Sequence, residues 1–162
     1  LSRKVLRVDE VFPPTVIIRH TKENPRKCSI MPLKGRPGIQ IHNYPMARPL
    51  DLRNYIRLAA DGPPLTRQDE KFGVLLLDGS WRSAGSMTRD YEHIAPRSLS
   101  GFVTAYPRVS KLGTDPDNGL ASVEALFIAL KILGRPVEGI LDDYHWKDKF
   151  LAANSSLLAN YE

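Results

Sequence analysis

The run FGVLLL at residues 72–77 constrains the fold more than any other stretch of the chain. It is apolar on both alternating faces, so a strand made from it belongs in the middle of a parallel sheet covered by helices on either side. It leads straight into Asp78, Gly79, Ser80 and Trp81, where the pattern SWRSAGSMTRDYEH becomes helical. Ser80 is available as N-cap, and Trp81, Ala84 and Met87 or Thr88 share one helix face. PTVIIRH at 14–20 is rich in β-branched residues and predicts a second buried strand. RNYIRLAAD at 53–61, closed by the turn GPP, predicts a third, and GFVTAYP at 101–107 a fourth. HTKENPRKCSIMPLKGRPG, residues 20–38, sustains no period and reads as a loop or one short helix. From Leu120, LASVEALFIALKILGR predicts a helix stopped at Gly134, with Ala121 or Ser122 in its first turn. VEGILDDYHWKDKFLAANSSLLANY adds one or two amphipathic helices. This alternation gives an α/β fold, with a boundary between lobes near GPP at 62–64.

Composition narrows the function classes. Hydrophobic residues at 42% and charged residues at 25% are globular values, and 162 residues suffice for one domain or for two small lobes sharing a core. The net charge of +5 and a pI near 9.4 permit a polyanionic partner. A single cysteine, Cys28, excludes an internal disulfide and a Cys-rich zinc site, and a reducing compartment is expected. No apolar run approaches the roughly 20 residues of a membrane span, and LSRKVLRVDE lacks the apolar centre of a secretory signal, so the expectation is a cytoplasmic protein.

In an open parallel sheet the strand ends line the crevice where ligands bind, because helix N-termini point at it. Asp78 and Trp81 follow the central strand and Ser122 opens a later helix, which places a carboxylate, an aromatic surface and a helix N-terminus around one pocket. Read from the residues alone, the commoner alternative is a helix-capping Asp78 and a core-packed Trp81, and that reading is favoured at this point. The chain contains no Walker-type phosphate loop, no GxGxxG after a strand and no GxSxG elbow. His20, His42, His93 and His145 have no metal-ligand spacing, and no metal is expected. Cys28 has Arg26 and Lys27 beside it but no histidine placed to assist it, and reads as a buried structural thiol.

DGSWRSAGSM resembles the signature of the DTW-domain family, and three further blocks resemble the small-subunit rRNA aminocarboxypropyltransferase family of ribosome biogenesis. These are PRKCSIMPL, NGLASVEAL and HWKDKFLAANSSLLANY; together the four blocks run in register over about residues 16–161. The resemblance implies a SPOUT-like, trefoil-knotted parallel sheet lobe at 64–162, which binds S-adenosylmethionine, and a smaller N-terminal α/β lobe with a basic loop at 1–63. It also implies transfer of the 3-amino-3-carboxypropyl group of S-adenosylmethionine to a ring nitrogen of a uridine or modified uridine in rRNA. The same transfer to tRNA uridine, as in DTW proteins, and a non-catalytic RNA-binding assembly factor are the alternatives. Gly79, Ser100 and TAYP at 104–107 depart from the rRNA branch.

Carried over by the same resemblance, Ser29 grips the cofactor carboxylate with the help of Ser122 at a helix N-terminus. The Leu77 carbonyl meets the ribose, the backbone of Leu99 and Asn118 reads adenine, and Leu58, Leu120 and Ala125 form apolar walls. Trp81 and Ala84 bury the methyl, so that the sulfonium exposes its aminocarboxypropyl carbon instead. An aromatic face also attracts a cation, by roughly 0.5–2 kcal/mol. Asp78, with Trp81 the expected catalytic pair, orients the amino group or accepts the uridine imino proton. RNA is expected on Lys22, Arg26, Lys27, Arg82, Arg108 and Lys111, with Lys34 and Arg36 equally readable as a solvated basic loop. A monomer is expected.

Overall fold

A computed structural model describes residues 12–21, 28–79, 81–107 and 119–162. Five strands form one parallel sheet: β1 (Thr15–His20), β2 (Ile39–Tyr44), β3 (Tyr55–Leu58), β4 (Gly73–Asp78) and β5 (Pro96–Arg97), in the order β2-β1-β4-β3-β5. The FGVLLL run supplies the middle strand, as its two apolar faces require. Alternation sorts its side chains: Val74 and Leu76 face one core, Leu75 and Leu77 the other. β1 does the same, with Ile17 on the first side and Val16 and Ile18 on the second.

Helices α1 (Trp81–Tyr91) and α2 (Ser122–Ile132) cover opposite faces. Met87 of α1 completes the smaller core with Val16, Ile18, Leu75 and Ile94. α2 presents Val123, Leu126, Phe127 and Leu130 to the larger core, which Phe150 of α3 (Lys147–Ala153) and Leu158 of α4 (Ser155–Leu158) close from outside. Burying each such side chain contributes about 1.5–3 kcal/mol. Gly134, at φ +71°, ends α2 in the left-handed region that glycine adopts without strain. No helix among the described residues is long and apolar enough to cross a membrane.

Three expectations need correction. The segment at 101–107 is extended in part but is no strand: both backbone groups of Val103 pair with the Asn154 carboxamide, at 2.8 Å each, and the Ala105 amide goes to Glu124. Side chains thus take the bonds a sheet neighbour would have taken. Two strands went unseen: β2, half-polar because it is an edge strand, and β5, only two residues long. Residues 138–143 form turns, so the C-terminal helices begin only at Lys147.

The connection after β1 leads to β2 on one side, whereas the connection after β4 leads past β3 to β5 on the other. β1 and β4 are neighbours, so their carboxyl ends flank the point where the chain's connections diverge, which is where open parallel sheets bind their ligands.

Candidate active site at the carboxyl ends of β1 and β4

Arg19, the penultimate residue of β1, and Asp78, the last of β4, are register partners across the divergence point. Both point to the α2 side, Arg19 in phase with Ile17 and Asp78 with Leu76. Both are buried, and Arg19 Nε stands 4.0 Å from Asp78 Oδ2. The Cys28 thiol donates to Oδ2 of the same carboxylate at 3.1 Å, and the Ser122 hydroxyl to Oδ1 at 2.5 Å. Burial first, then the Asp78 charge, push the Cys28 thiol above its ordinary value, with Arg19 and the Ile30 amide opposing. At neutral pH the thiol therefore keeps the proton that it donates.

The start of α2 is fixed from a distance. Ala121 at its N-cap has no side-chain acceptor, and the Val123 amide instead donates to Ser29 Oγ at 3.2 Å. That is the N2 amide an ordinary cap would bind, so Ser29 performs the cap's task from another part of the chain. Glu124, fully buried, accepts from the Ala121 amide (2.8 Å), Thr104 Oγ1 (2.6 Å), the Ala105 amide (2.9 Å) and Tyr144 Oη (3.0 Å). One carboxylate thereby ties the helix start, the 103–106 segment and the C-terminal region together.

Of the predicted site residues, Ser29, Asp78 and Ser122 converge at the α2 N-terminus. Leu58, Leu99 and Leu120 are half-buried against the larger core, and Ala125 lies within it. Leu77 packs on the opposite face with the α1 core. Trp81, Arg82 and Ala84 fall in the first turn of α1, and their side chains lie outside the described set. Lys22, Arg26, Lys27, Ser80, Arg108, Lys111 and Asn118 lie outside the described residues altogether. Lys34 is exposed, while the Arg36 guanidinium is engaged with the Glu138 carbonyl. Arg19 and Cys28 were not expected in a site. Cys28 is half-buried rather than buried: it packs against the larger core and also donates to the Asp78 carboxylate. An arginine near the end of an otherwise apolar run was the available signal for Arg19.

The cluster offers one carboxylate with neutral donors on both oxygens, a helix N-terminus, and apolar walls beside it. Those elements suit a ligand that carries a cationic amine, an anionic group and a flat apolar ring. A cavity of about 720 Å³ opens elsewhere, on the α1 face between Tyr44, Leu52, Tyr55 and Tyr91, and among the described residues none of the predicted site residues lines it.

A family model described as "Ribosome biogenesis protein, C-terminal" matches residues 62–162. The chain is similar to the 16S rRNA aminocarboxypropyltransferase of Methanocaldococcus jannaschii, 28% identical over 153 residues that cover 91% of this chain and 87% of the relative. It also resembles a solved structure, the SAM-dependent rRNA:acp-transferase from Vulcanisaeta distributa, with a TM-score of 0.69 at 23% identity over 93% of this chain and 83% of that one. The structural likeness establishes the shared fold.

Proposed function

The chain belongs to the family described as ribosome biogenesis protein, C-terminal, and from that premise we propose that it transfers the 3-amino-3-carboxypropyl group of S-adenosylmethionine to a ring nitrogen of a uridine or modified uridine in rRNA. The observation that carries this reading is the convergence of Ser29, Asp78 and Ser122 at the start of α2, beside the carboxyl ends of β1 and β4. A relative named as a 16S rRNA aminocarboxypropyltransferase supports it over nearly the whole chain.

S-adenosylmethionine supplies a sulfonium whose attached carbons are all open to attack. Asp78 holds the amino group, and the α2 N-terminus with Ser29 and Ser122 holds the carboxylate, so the head of the transferred group is fixed at both charges. By the same resemblance the backbone of Leu99 and Asn118 reads the adenine, Leu58, Leu120 and Ala125 form its apolar walls, and the Leu77 carbonyl takes the ribose. Trp81 and Ala84 cover the methyl and so select which carbon meets the nucleophile. The uridine nitrogen gives its proton to Asp78 or to water as its bond to that carbon forms, and the carbon–sulfur bond breaks to release 5′-methylthioadenosine. The support for Trp81 is its position as the first residue of α1, directly after β4.

RNA is assigned to Lys22, Arg26, Lys27, Arg82, Arg108 and Lys111, on the strength of their charge and of the matched blocks. The SPOUT-like knotted form, with residues 64–162 as the cofactor lobe and 1–63 as the smaller lobe, belongs to the same proposal. So do a monomeric state and a cytoplasmic location. These extensions rest on the resemblance of the four sequence blocks.

The test is incubation of the protein with S-adenosylmethionine and rRNA lacking the modification, followed by mass spectrometry of the nucleosides. The expected product is an aminocarboxypropyl-uridine in rRNA, with 5′-methylthioadenosine released in equal amount. A methylated nucleoside, or no product on rRNA but product on tRNA, overturns the reading.

A further inference from the structure

Arg19 has no part in the function derived above, yet it is the register partner of Asp78 and is buried beside it. We propose that Arg19, together with Cys28, is a positioning residue that fixes the Asp78 carboxylate for recognition of the ammonium group of the cofactor; this rests on the transferase reading.

Four observations carry the inference. First, strand pairing fixes the Arg19 and Asp78 backbones side by side, so their separation does not depend on a flexible loop. Second, both side chains are enclosed, Arg19 at 6% exposure and Asp78 at 11%, so little solvent screens the one charge from the other. Third, the thiol and the hydroxyl bind one carboxylate oxygen each. A carboxylate has about four acceptor sites, so two remain for a cationic donor while both neutral donors stay in place. Fourth, a guanidinium keeps its charge at any physiological pH, and a buried carboxylate deprived of a neighbouring cation is costly.

The arrangement therefore treats the two ends of the carboxylate differently. Cys28 and Ser122 set its rotation, and Arg19, 4.0 Å from Oδ2, compensates its charge. Removing Arg19 leaves the Asp78 charge buried without that compensation, and the orientation needed by an ammonium group is lost. Removing the Cys28 donor frees one oxygen only, which is a smaller disturbance.

Three ligands separate this role from a structural one: S-adenosylmethionine, its decarboxylated form, and 5′-methylthioadenosine, which lacks the amino-acid part altogether. Calorimetry should find that Arg19→Met weakens binding of the first two by about tenfold or more, as expected for a displaced charged contact, and leaves the third within about twofold. Arg19→Lys should recover most of the loss. Cys28→Ala should weaken the same two ligands by about threefold, and Cys28→Ser, which keeps a donor, should restore them. Should Arg19→Met not fold, the two Cys28 variants carry the comparison alone.

Equal weakening of all three ligands overturns the proposal, because that is the mark of a damaged fold. So does weakening of S-adenosylmethionine alone, which would make Arg19 a direct carboxylate contact, and so does unchanged binding. Wild-type protein that binds none of the three overturns the transferase reading itself, and this inference with it.

Discussion

The face of the sheet under α2 carries a large core threaded with buried polar groups, whereas the face under α1 carries a smaller apolar cluster beside an open cavity. Arg19, Asp78, Glu124 and Asn154 all lie on the α2 side or on the segments packed against it. A buried polar group is costly unless partnered, so each of these demands a fixed neighbour. The α2 face thus converts polar burial into fixed geometry at the carboxyl ends of β1 and β4. Beyond the first turn of α1 and Leu77, which the proposed function uses, the α1 face contributes packing.

Glu124 gives the sharpest way to break this contrast. Glu124→Ala strands four donors in the interior, and denaturant unfolding should register a loss of about 3–5 kcal/mol. Because the same carboxylate anchors the α2 start, binding of S-adenosylmethionine should weaken even under conditions where the variant is folded. A loss below about 1 kcal/mol would mean that the polar network is not what holds this face together.

On the opposite face, Met87→Ala opens a cavity in the smaller cluster and should cost about 2–3 kcal/mol by the same unfolding measurement. Here the affinity of the folded protein for S-adenosylmethionine should stay within about twofold, less than 0.5 kcal/mol. A large affinity loss would show that the two faces are not separable.

The smallest expected effect concerns pH. The Cys28 thiol is raised above its ordinary 9.0 by burial and by Asp78, so the folded state holds its proton more tightly than the unfolded chain does. Its contribution is complete below pH 9.0 and is lost as pH rises through the folded value. Stability curves from pH 7 to 11 should therefore fall less steeply for Cys28→Ser than for the wild type. Parallel curves would remove Cys28 from the electrostatics of the cluster.

The elements that sequence patterns revealed are those whose partners are apolar surfaces. β1, β4, α1 and α2 each carry an apolar run or period that one core or the other absorbs. Where partners are specific side chains, the pattern misleads. GFVTAYP has strand composition, yet Asn154 and Glu124 supply its hydrogen bonds from distant positions. β2 alternates weakly because its outer side faces solvent along the sheet edge.

The site divides in the same manner. Ser29, Asp78 and Ser122 were recognisable through their sequence blocks, and the fold brings them together. Arg19 was hidden because its significance lies in a register with Asp78 that no local pattern encodes. Cys28 reads from sequence as a buried structural thiol; the structure leaves it half-buried against the core, and its bond to a carboxylate from β4 lies beyond any local pattern.

The account centres on Asp78 as the group that holds the cofactor head, and one measurement tests this directly: calorimetric binding of S-adenosylmethionine to the wild type and to folded Asp78→Asn protein. Asparagine retains the shape but loses the charge, so the affinity should fall by about tenfold or more while 5′-methylthioadenosine still binds. Affinity for S-adenosylmethionine that is unchanged by the substitution would contradict the account.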